Sequence, residues 1–298
     1  MSVDEVADKI ATMEIRGALK IAIEAAKALE QEIIDGASYD ELVREADKLR
    51  DARPTAVSLP NAINYVLHVF ETHAKSDPSL ARSLIIADVS NFISSLEQSI
   101  LKISEIGANI VEDGDIILTI CNSNTVTSIL KKAHENGKQF KVYACETRPR
   151  YQGHITVKDL AASGVDVTLI VDSAAHHTIV EKKVCKVFVG ADTVYVNGDV
   201  INKIGTSQVA LMAKSAQIPF IVCTESIKFS PFSMMGAHVP IEERDPKEVA
   251  EITGVKVFNP AFDLTPKENI SMIITEEGII PPEAAYDIIK QKFAWSLG

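Results

Sequence analysis

Two residues of this chain pair a useful side chain with a position that parallel α/β sheets reserve for ligands. Cys121 directly follows the apolar run 116–120 and precedes Asn122-Ser123-Asn124-Thr125, a polar turn that opens a helix-like stretch near Thr125. A thiol at a helix N-terminus feels the helix dipole, which lowers its pKa from about 8.5 and favours thiolate. Asp192 is the first polar side chain after a second apolar run, residues 186–189, in the segment Gly190-Ala191-Asp192. Strand-end groups of one parallel sheet share one edge and one crevice. A thiol and a carboxylate there form a proton-transfer pair, one taking a proton from carbon and the other giving one to oxygen. The plain alternative for Cys121 is a small buried residue at a strand end. Asp192 on the same edge moves the balance toward chemistry.

Other groups gather round these two. Asn202 and Lys203 precede Gly205-Thr206, which opens a further helix. A carboxylate, an amide and an ammonium at a helix start suit a phosphorylated, hydroxylated ligand; the rival reading is a loop of turn formers, because Asn197-Gly198 is common turn chemistry. Asn122, Ser123 and the N–H groups beside them could hold a phosphate. The loop Glu146-Thr147-Arg148-Pro149-Arg150-Tyr151-Gln152-Gly153 follows another strand-like run. Arg148 and Arg150 suit forked contacts to phosphate oxygens, and Gln152 suits sugar hydroxyls; solvated arginines on an exposed loop are the alternative. Arg16-Gly17-Ala18, Arg53-Pro54-Thr55 and Lys228 are weaker signals. Gly17 inside a helical run costs about 1 kcal/mol against Ala, which suggests close approach of a ligand or helix. His176-His177 point to different sides of a helix, without the partners a metal site needs. Glu242-Glu243-Arg244-Asp245 reads as a solvated turn, and His68 and His73 as surface helix positions.

The elements that must position these groups fall into two textures. Residues 3–74 carry apolar side chains at helical spacing, as in Ile15, Leu19, Ile23, Ala26 and Leu29. Asp35-Gly36 ends one helix, and Ser38 with Glu41 three residues on makes a capping-box pattern. Pro54 disfavours helix at Arg53; residues 75–78 break the pattern again, and a long helix-like segment spans 79–107. From Asp113 apolar runs of strand length alternate with helical stretches: 116–120, 141–144, 167–171, 187–189, 220–223, 256–258 and 272–274. That alternation implies an α/β fold, a helical N-terminal domain (1–107) joined through a long helix to a Rossmann-like parallel-sheet domain (108–298). Neither a GxGxxG after a strand nor a GxxxxGK[ST] is present.

Composition narrows the function classes. The chain has 298 residues, 46% hydrophobic and 24% charged, with a net charge of −11. The acidic balance argues against nucleic-acid and anionic-membrane partners but leaves room for an anion in a locally basic pocket. The acidic start lacks an apolar signal segment, no run approaches membrane-spanning length, and four cysteines (Cys121, Cys145, Cys185 and Cys223) lie scattered. A reducing cytoplasm is the expected compartment.

Taken together these residues resemble the family that unites 5-methylthioribose-1-phosphate isomerase, archaeal ribose-1,5-bisphosphate isomerase and the α, β and δ subunits of translation initiation factor eIF2B. The matching stretches include Arg16-Gly17-Ala18, Arg53–Val57, Thr119–Ser123, Glu146–Gly153, Gly190–Asp192, Asn202–Thr206 and Asn259–Pro266, spread over nearly the whole chain. The resemblance implies that Cys121 and Asp192 carry catalysis. The regulatory subunits typically lack that pair, so it argues for an enzyme. Glu225–Pro231 and the tail from Thr275 to Trp295 look most like the bisphosphate enzyme, whereas Pro240–Arg244 also resembles the methylthioribose enzyme. The expected activity is conversion of α-D-ribose 1,5-bisphosphate to ribulose 1,5-bisphosphate, with no cofactor and no metal. Arg16, Gly17, Ala18, Arg53 and the Cys121–Ser123 turn would take one phosphate, Arg148 and Lys228 the other. Asp192, kept protonated by an apolar pocket, would open the sugar, and Cys121 as thiolate would take the C2 proton, with Asn202, Lys203 and Gln152 on hydroxyls and oxyanion. A hydride shift from C2 to C1 is the alternative. The resemblance also suggests a homo-oligomer built on dimers, up to a hexamer, and AMP as an effector.

Overall fold

Helical spacing in the first third of the chain becomes, in the computed structural model, five helices: α1 (Val3–Ala11), α2 (Ala18–Asp35), α3 (Tyr39–Ala52), α4 (Ser58–Ala74) and α5 (Pro78–Ala108). The structure describes residues 1–53, 57–74, 78–236 and 239–296; the breaks read at Pro54-Thr55 and at Lys75-Ser76-Asp77 lie outside the described residues. Local chemistry sets the helix ends. The Ser38 side chain accepts from the Glu41 N–H, and Glu41 accepts from the Ser38 N–H at 2.8 Å. Gly36 closes α2 at φ 105°, where an L side chain would be strained. Gly17 corrects the sequence reading: it lies before α2 rather than inside it, at φ 91°. Its reason to be glycine is the turn into the helix.

Past α5 the alternation yields β1 (Ile116–Thr119), α6 (Asn124–Glu135), β2 (Lys141–Cys145), α7 (Gly153–Ala162), β3 (Asp166–Ile170), α8 (Ala175–Glu181), β4 (Lys186–Val189), β5 (Thr193–Val194), β6 (Val200–Lys203), α9 (Thr206–Ser215), β7 (Phe220–Cys223), β8 (Phe262–Thr265), β9 (Met272–Thr275), β10 (Gly278–Ile280) and α10 (Ala285–Lys292). Seven strands form one sheet in the order β10-β9-β7-β4-β1-β2-β3. Its neighbours run parallel except for the terminal β9–β10 pair. Every residue of β7 is buried, as a strand covered on both faces requires.

Two features depart from the sequence reading. Residues 256–258 are irregular rather than a strand, and Phe258 is 75% exposed. Three apolar side chains do not make a strand where no neighbouring backbone satisfies their N–H and C=O groups. Conversely, β5, β6 and β8 form a separate three-stranded antiparallel sheet, which the sequence reading did not find. These strands are short and mix polar with apolar residues, so periodicity is weak in them.

No flexible linker separates the helices from the sheet, because one apolar core serves both. It runs from Val6 and Ile10 through Leu59 and Ile63 to Val187 and Val189. The C-terminal end returns to the helices, where Trp295 stacks on His68 at 5.2 Å and meets Tyr65 edge-on at 5.9 Å. His73 pairs with Asp88 at 2.7 Å. Among the described residues no helix is long and apolar enough to cross a membrane.

One buried amide fixes how the helical half docks. The Asn61 side chain in α4 donates to the backbone carbonyls of Ile227 and Phe229, both at 2.8 Å. Next to it Ser58 donates to the carbonyl of Ala18 at 2.7 Å. Asn61→Ala strands two buried acceptors, so it is expected to cost about 2 kcal/mol, read as a lowered urea midpoint with an unchanged slope.

Candidate active site

Parallel pairing brings Cys121 and Asp192 to the same edge of the sheet. Strands β1 and β4 are adjacent, with Leu118 opposite Val187. Carried three residues further, that register sets Cys121 level with Gly190, two residues before Asp192. Gly190 is required by the close approach: a Cβ there would stand 2.7 Å from the Ser123 Oγ. Both Cys121 and Asp192 are half-buried.

The backbone of Cys121 is held in a conformation that few non-glycine residues adopt, φ 70°. Its N–H donates to Thr147 Oγ1 at 2.8 Å, and its carbonyl accepts from Thr156 Oγ1 at 2.8 Å. Thr147 lies just past β2 and Thr156 in the first turns of α7, so the neighbouring β2–α7 unit clamps the thiol's backbone on both sides. Such a conformation costs about 1–3 kcal/mol and persists only where its surroundings over-determine it. Thr156 also reaches Asn122 Oδ1 at 3.1 Å. Gln152 precedes Thr156 by one helical turn and shares its face; its Oε1 is a buried acceptor without a hydrogen-bond partner in the protein, as a group awaiting a hydroxyl donor would be.

The antiparallel sheet supplies the other wall. Asp192 leads into β5, its N–H donating to Ile201 of β6 at 2.9 Å. Asn197-Gly198-Asp199 proves to be the hairpin turn between those strands, with Asn197 and Asp199 bonded to each other, so the turn reading holds for those three residues. Asn202 and Lys203 lie at the end of β6, 5% and 6% exposed. Asn202 donates to Thr206 Oγ1 at 3.0 Å. Lys203 is set over the ring of Phe262, its strand partner in β8, with Nζ 4.8 Å from the ring centre.

The helix start at Gly205-Thr206 is not open to a phosphate. Asp263 of β8 accepts from the N–H of Gly205 at 2.7 Å and from the Ser207 hydroxyl at 3.0 Å, so a carboxylate of the chain itself caps α9. The helix start beside Cys121 is that of α6. There the Ser123 side chain accepts from the N–H of Val126 at 3.3 Å, so it serves as the N-cap.

Burial reverses the expected shift at Cys121. Loss of solvent pushes the thiol up to about 11, and the nearby Asp192 charge adds to that. Lys203, the backbone N–H of Asn122 and Arg244 pull the other way. The dipole argument failed because the sulfur lies ahead of the helix cap and is desolvated more than it is attracted. The same burial lowers the Lys203 ammonium, opposed chiefly by Cys121.

One cavity joins the two halves of the chain. Gly17, Ala18 and Arg53 face Asp192, Thr193, Ile201 and Phe262 across it, with Val239, Pro240 and Ile241 as a third side. The N-terminal residues singled out from sequence therefore meet Asp192; Arg16 is exposed beside them. Lys228 is buried, with its ammonium 2.6 Å from Glu225 Oε2, while Thr125 of α6 donates to Glu225 Oε1 at 2.5 Å. It is thus a paired cation on the same sheet edge. Arg148 is directed elsewhere: its guanidinium donates to Tyr151 at 2.6 Å and to the carbonyl of Val249 at 3.1 Å, at the surface. Arg150 pairs with Glu248. Both arginines tie their loop to residues 248–249 and lie outside the cavity lining. Sequence reasoning missed Arg244, Phe262, Glu225 and the two threonines that clamp Cys121; none has local spacing that marks a site. Among the described residues no group of three or more His, Cys, Asp or Glu side chains could hold a metal ion.

The chain is similar to proteins of known name. A ribose 1,5-bisphosphate isomerase of Archaeoglobus fulgidus is 50% identical over 299 residues, which cover 98% of this chain and 94% of the relative. A methylthioribose-1-phosphate isomerase of Bacillus licheniformis is 40% identical, over 93% of this chain and 84% of its own. Among solved structures, 5-methylthioribose 1-phosphate isomerase from Pyrococcus horikoshii superposes with a TM-score of 0.80 at 30% identity, covering 98% of this chain and 88% of that one. Residues 14–282 match the model of the initiation factor 2 subunit family, and to that family the chain belongs.

Proposed function

We propose that the protein is an aldose–ketose isomerase that converts α-D-ribose 1,5-bisphosphate to ribulose 1,5-bisphosphate by acid–base chemistry at Cys121 and Asp192, without a cofactor. The observation that supports this reading is that Cys121 and Asp192 follow the adjacent strands β1 and β4 at one edge of the parallel sheet. The names of the relatives support the substrate: the matches at 50% to 45% identity are ribose 1,5-bisphosphate isomerases.

The chemistry needs one proton shared by the pair. In the resting site burial keeps that proton on sulfur. Its transfer to Asp192 makes the reactive form, a thiolate facing a carboxylic acid. Asp192 then gives the proton to the ring oxygen as the C1–O bond breaks, leaving a cationic C1 stabilised by its phosphate oxygen. Cys121 takes the C2 proton, and the electron pair of that C–H bond becomes the C1=C2 bond of an enol phosphate. Cys121 returns a proton to C1 while the C2 hydroxyl gives its own to Asp192, which forms the ketone and restores the pair. Lys203 and Asn202 stabilise the oxygen that carries charge. Gln152, Arg16, Gly17, Ala18, Arg53 and the Asn122–Ser123 turn hold hydroxyls and one phosphate; Lys228, released from Glu225, meets the second.

Methylthioribose-1-phosphate isomerase is the second reading, favoured by Pro240 and Ile241 in the cavity wall, since that segment resembles the methylthioribose enzyme. Purified protein is expected to form ribulose 1,5-bisphosphate from the bisphosphate and to leave methylthioribose 1-phosphate unchanged; the opposite preference would overturn the assignment. Cys121→Ser and Asp192→Asn are each expected to lower kcat by about 10²–10⁴-fold with folding intact. Product formed in deuterated water should carry solvent label at C1, whereas unlabelled product would mean a hydride shift. If neither sugar is turned over, a regulatory binder is the better reading. We also propose a cytoplasmic homo-oligomer built on dimers and activated by AMP. Light scattering should find a multiple of the dimer mass, and AMP should raise kcat/KM.

A further inference from the structure

The clamp on Cys121 has a further anchor, at the end of a third strand. Asp172 follows β3, the edge strand beside β2, and opens the short turn before α8. Its carboxylate accepts from two successive backbone groups of the β2–α7 loop. The Thr147 N–H donates to Oδ1 at 2.8 Å, and the Arg148 N–H donates to Oδ2 at 2.7 Å. Two successive N–H groups converge on one anion where the backbone curls between them, and Thr147 lies at φ 63°. A β-branched residue avoids that left-handed region unless it is held there. The Thr147 side chain is buried, the residue being 1% exposed. Its hydroxyl has a single proton, which goes to the Cys145 carbonyl at 3.1 Å. Toward Cys121 the hydroxyl therefore only accepts, and the Cys121 N–H donates to it at 2.8 Å. Two left-handed, non-glycine residues, Cys121 at φ 70° and Thr147, are thus joined by one hydrogen bond, and Asp172 braces the second of them.

We infer that Asp172 is a positioning residue that acts through Thr147 to hold the Cys121 backbone, and with it the sulfur, in the conformation the site uses. Without the carboxylate, the Thr147 and Arg148 N–H groups lose their acceptor and the curl at Thr147 loses its reason. The loop then relaxes and withdraws the hydroxyl from the Cys121 amide. The carbonyl side of Cys121 keeps its own tie to Thr156 on α7, so the amide side is the part that depends on Asp172. A residue freed on that side can leave φ 70° for the ordinary extended region, which redirects its Cβ and sulfur. Proton transfer to carbon is sensitive to displacements well below the size of such a turn. The connection runs from β3 through the end of β2 to the end of β1, three neighbouring strands of one sheet.

The inference rests on Cys121 as the reactive group of the proposed isomerase, but its first test needs no turnover. Hydrogen exchange of the Cys121 amide, resolved by fragmentation mass spectrometry, reads the bond to Thr147 directly. Thr147→Val keeps the side-chain shape and drops the hydroxyl; Asp172→Ala removes the brace. Each should speed that exchange about tenfold, the scale of one hydrogen bond lost, with unchanged circular dichroism. Thr147→Ser, which keeps the hydroxyl, should exchange at close to the parent's rate. The second test is kinetic. Asp172→Ala should lower kcat about 10–100-fold with KM near the parent's, and Thr147→Ser should retain most of the parental kcat. In a Thr147→Val background Asp172→Ala should lower kcat little further, because its route to Cys121 is already gone. Exchange at the parent's rate in Asp172→Ala overturns the inference. So does an undiminished effect of Asp172→Ala in the Thr147→Val background. A protein that turns over no sugar removes the isomerase reading and leaves the exchange result to decide; unchanged exchange removes Asp172 and leaves the isomerase standing.

Discussion

A buried thiol resists losing its proton, while cations packed near it favour the thiolate. That conflict at Cys121 governs the rest of the molecule. Burial pushes the thiol up to about 11. The nearby cations oppose that rise only in part. Lys203 is itself buried, and an ammonium is stable there only with partners arranged in advance. The ring of Phe262, the segment 242–244 and the carboxylates of Asp192 and Glu242 are that arrangement.

The fold makes this possible by dividing the work between two sheets. The parallel sheet is rigid and delivers backbone ends: its central strands bring Cys121 and Gly190 level, and the adjoining β2–α7 unit holds Cys121 at a strained φ through Thr147 and Thr156. The antiparallel sheet delivers side chains. Its strands are too short to stand alone and are stabilised by packing against α9, where Asp263 caps the helix and ties β8 to it. The helical half completes the cavity by presenting Gly17, Ala18 and Arg53, and its placement depends on polar contacts as specific as those of Asn61. The apolar core shared by helices and sheet keeps Cys121 and Gly190 in register.

Membership of a family that includes isomerases and translation-factor subunits puts the burden of function on the site rather than the scaffold. In this chain Cys121 and Asp192 follow adjacent strands of the parallel sheet, and Lys203 ends a strand of the antiparallel sheet beside them. A purely regulatory member would have no need to keep a strained cysteine or an unpaired buried Gln152 oxygen. The Lys228–Glu225 ion pair lies past the end of β7, on the sheet edge that carries Cys121.

Much of this was legible in the residues themselves, and for a physical reason. Strand runs and helix caps are local, and parallel topology sends every strand's carboxyl end to one edge, so Cys121 and Asp192 could be paired from order alone. The capping box at Ser38 and Glu41 and the turn at Asn197-Gly198 are equally local. What only the tertiary structure decided are quantities summed over distant neighbours. The direction of the Cys121 shift reversed because desolvation depends on packing from several elements, not on the adjacent helix. Arg148 was directed to Tyr151 and Val249, Asp263 took the α9 helix start, and Arg244 moved from a presumed solvated turn to the ring of Phe262. Apart from the local Arg148–Tyr151 bond, each of those outcomes is a contact between segments well separated in the chain, and no spacing rule reaches that far.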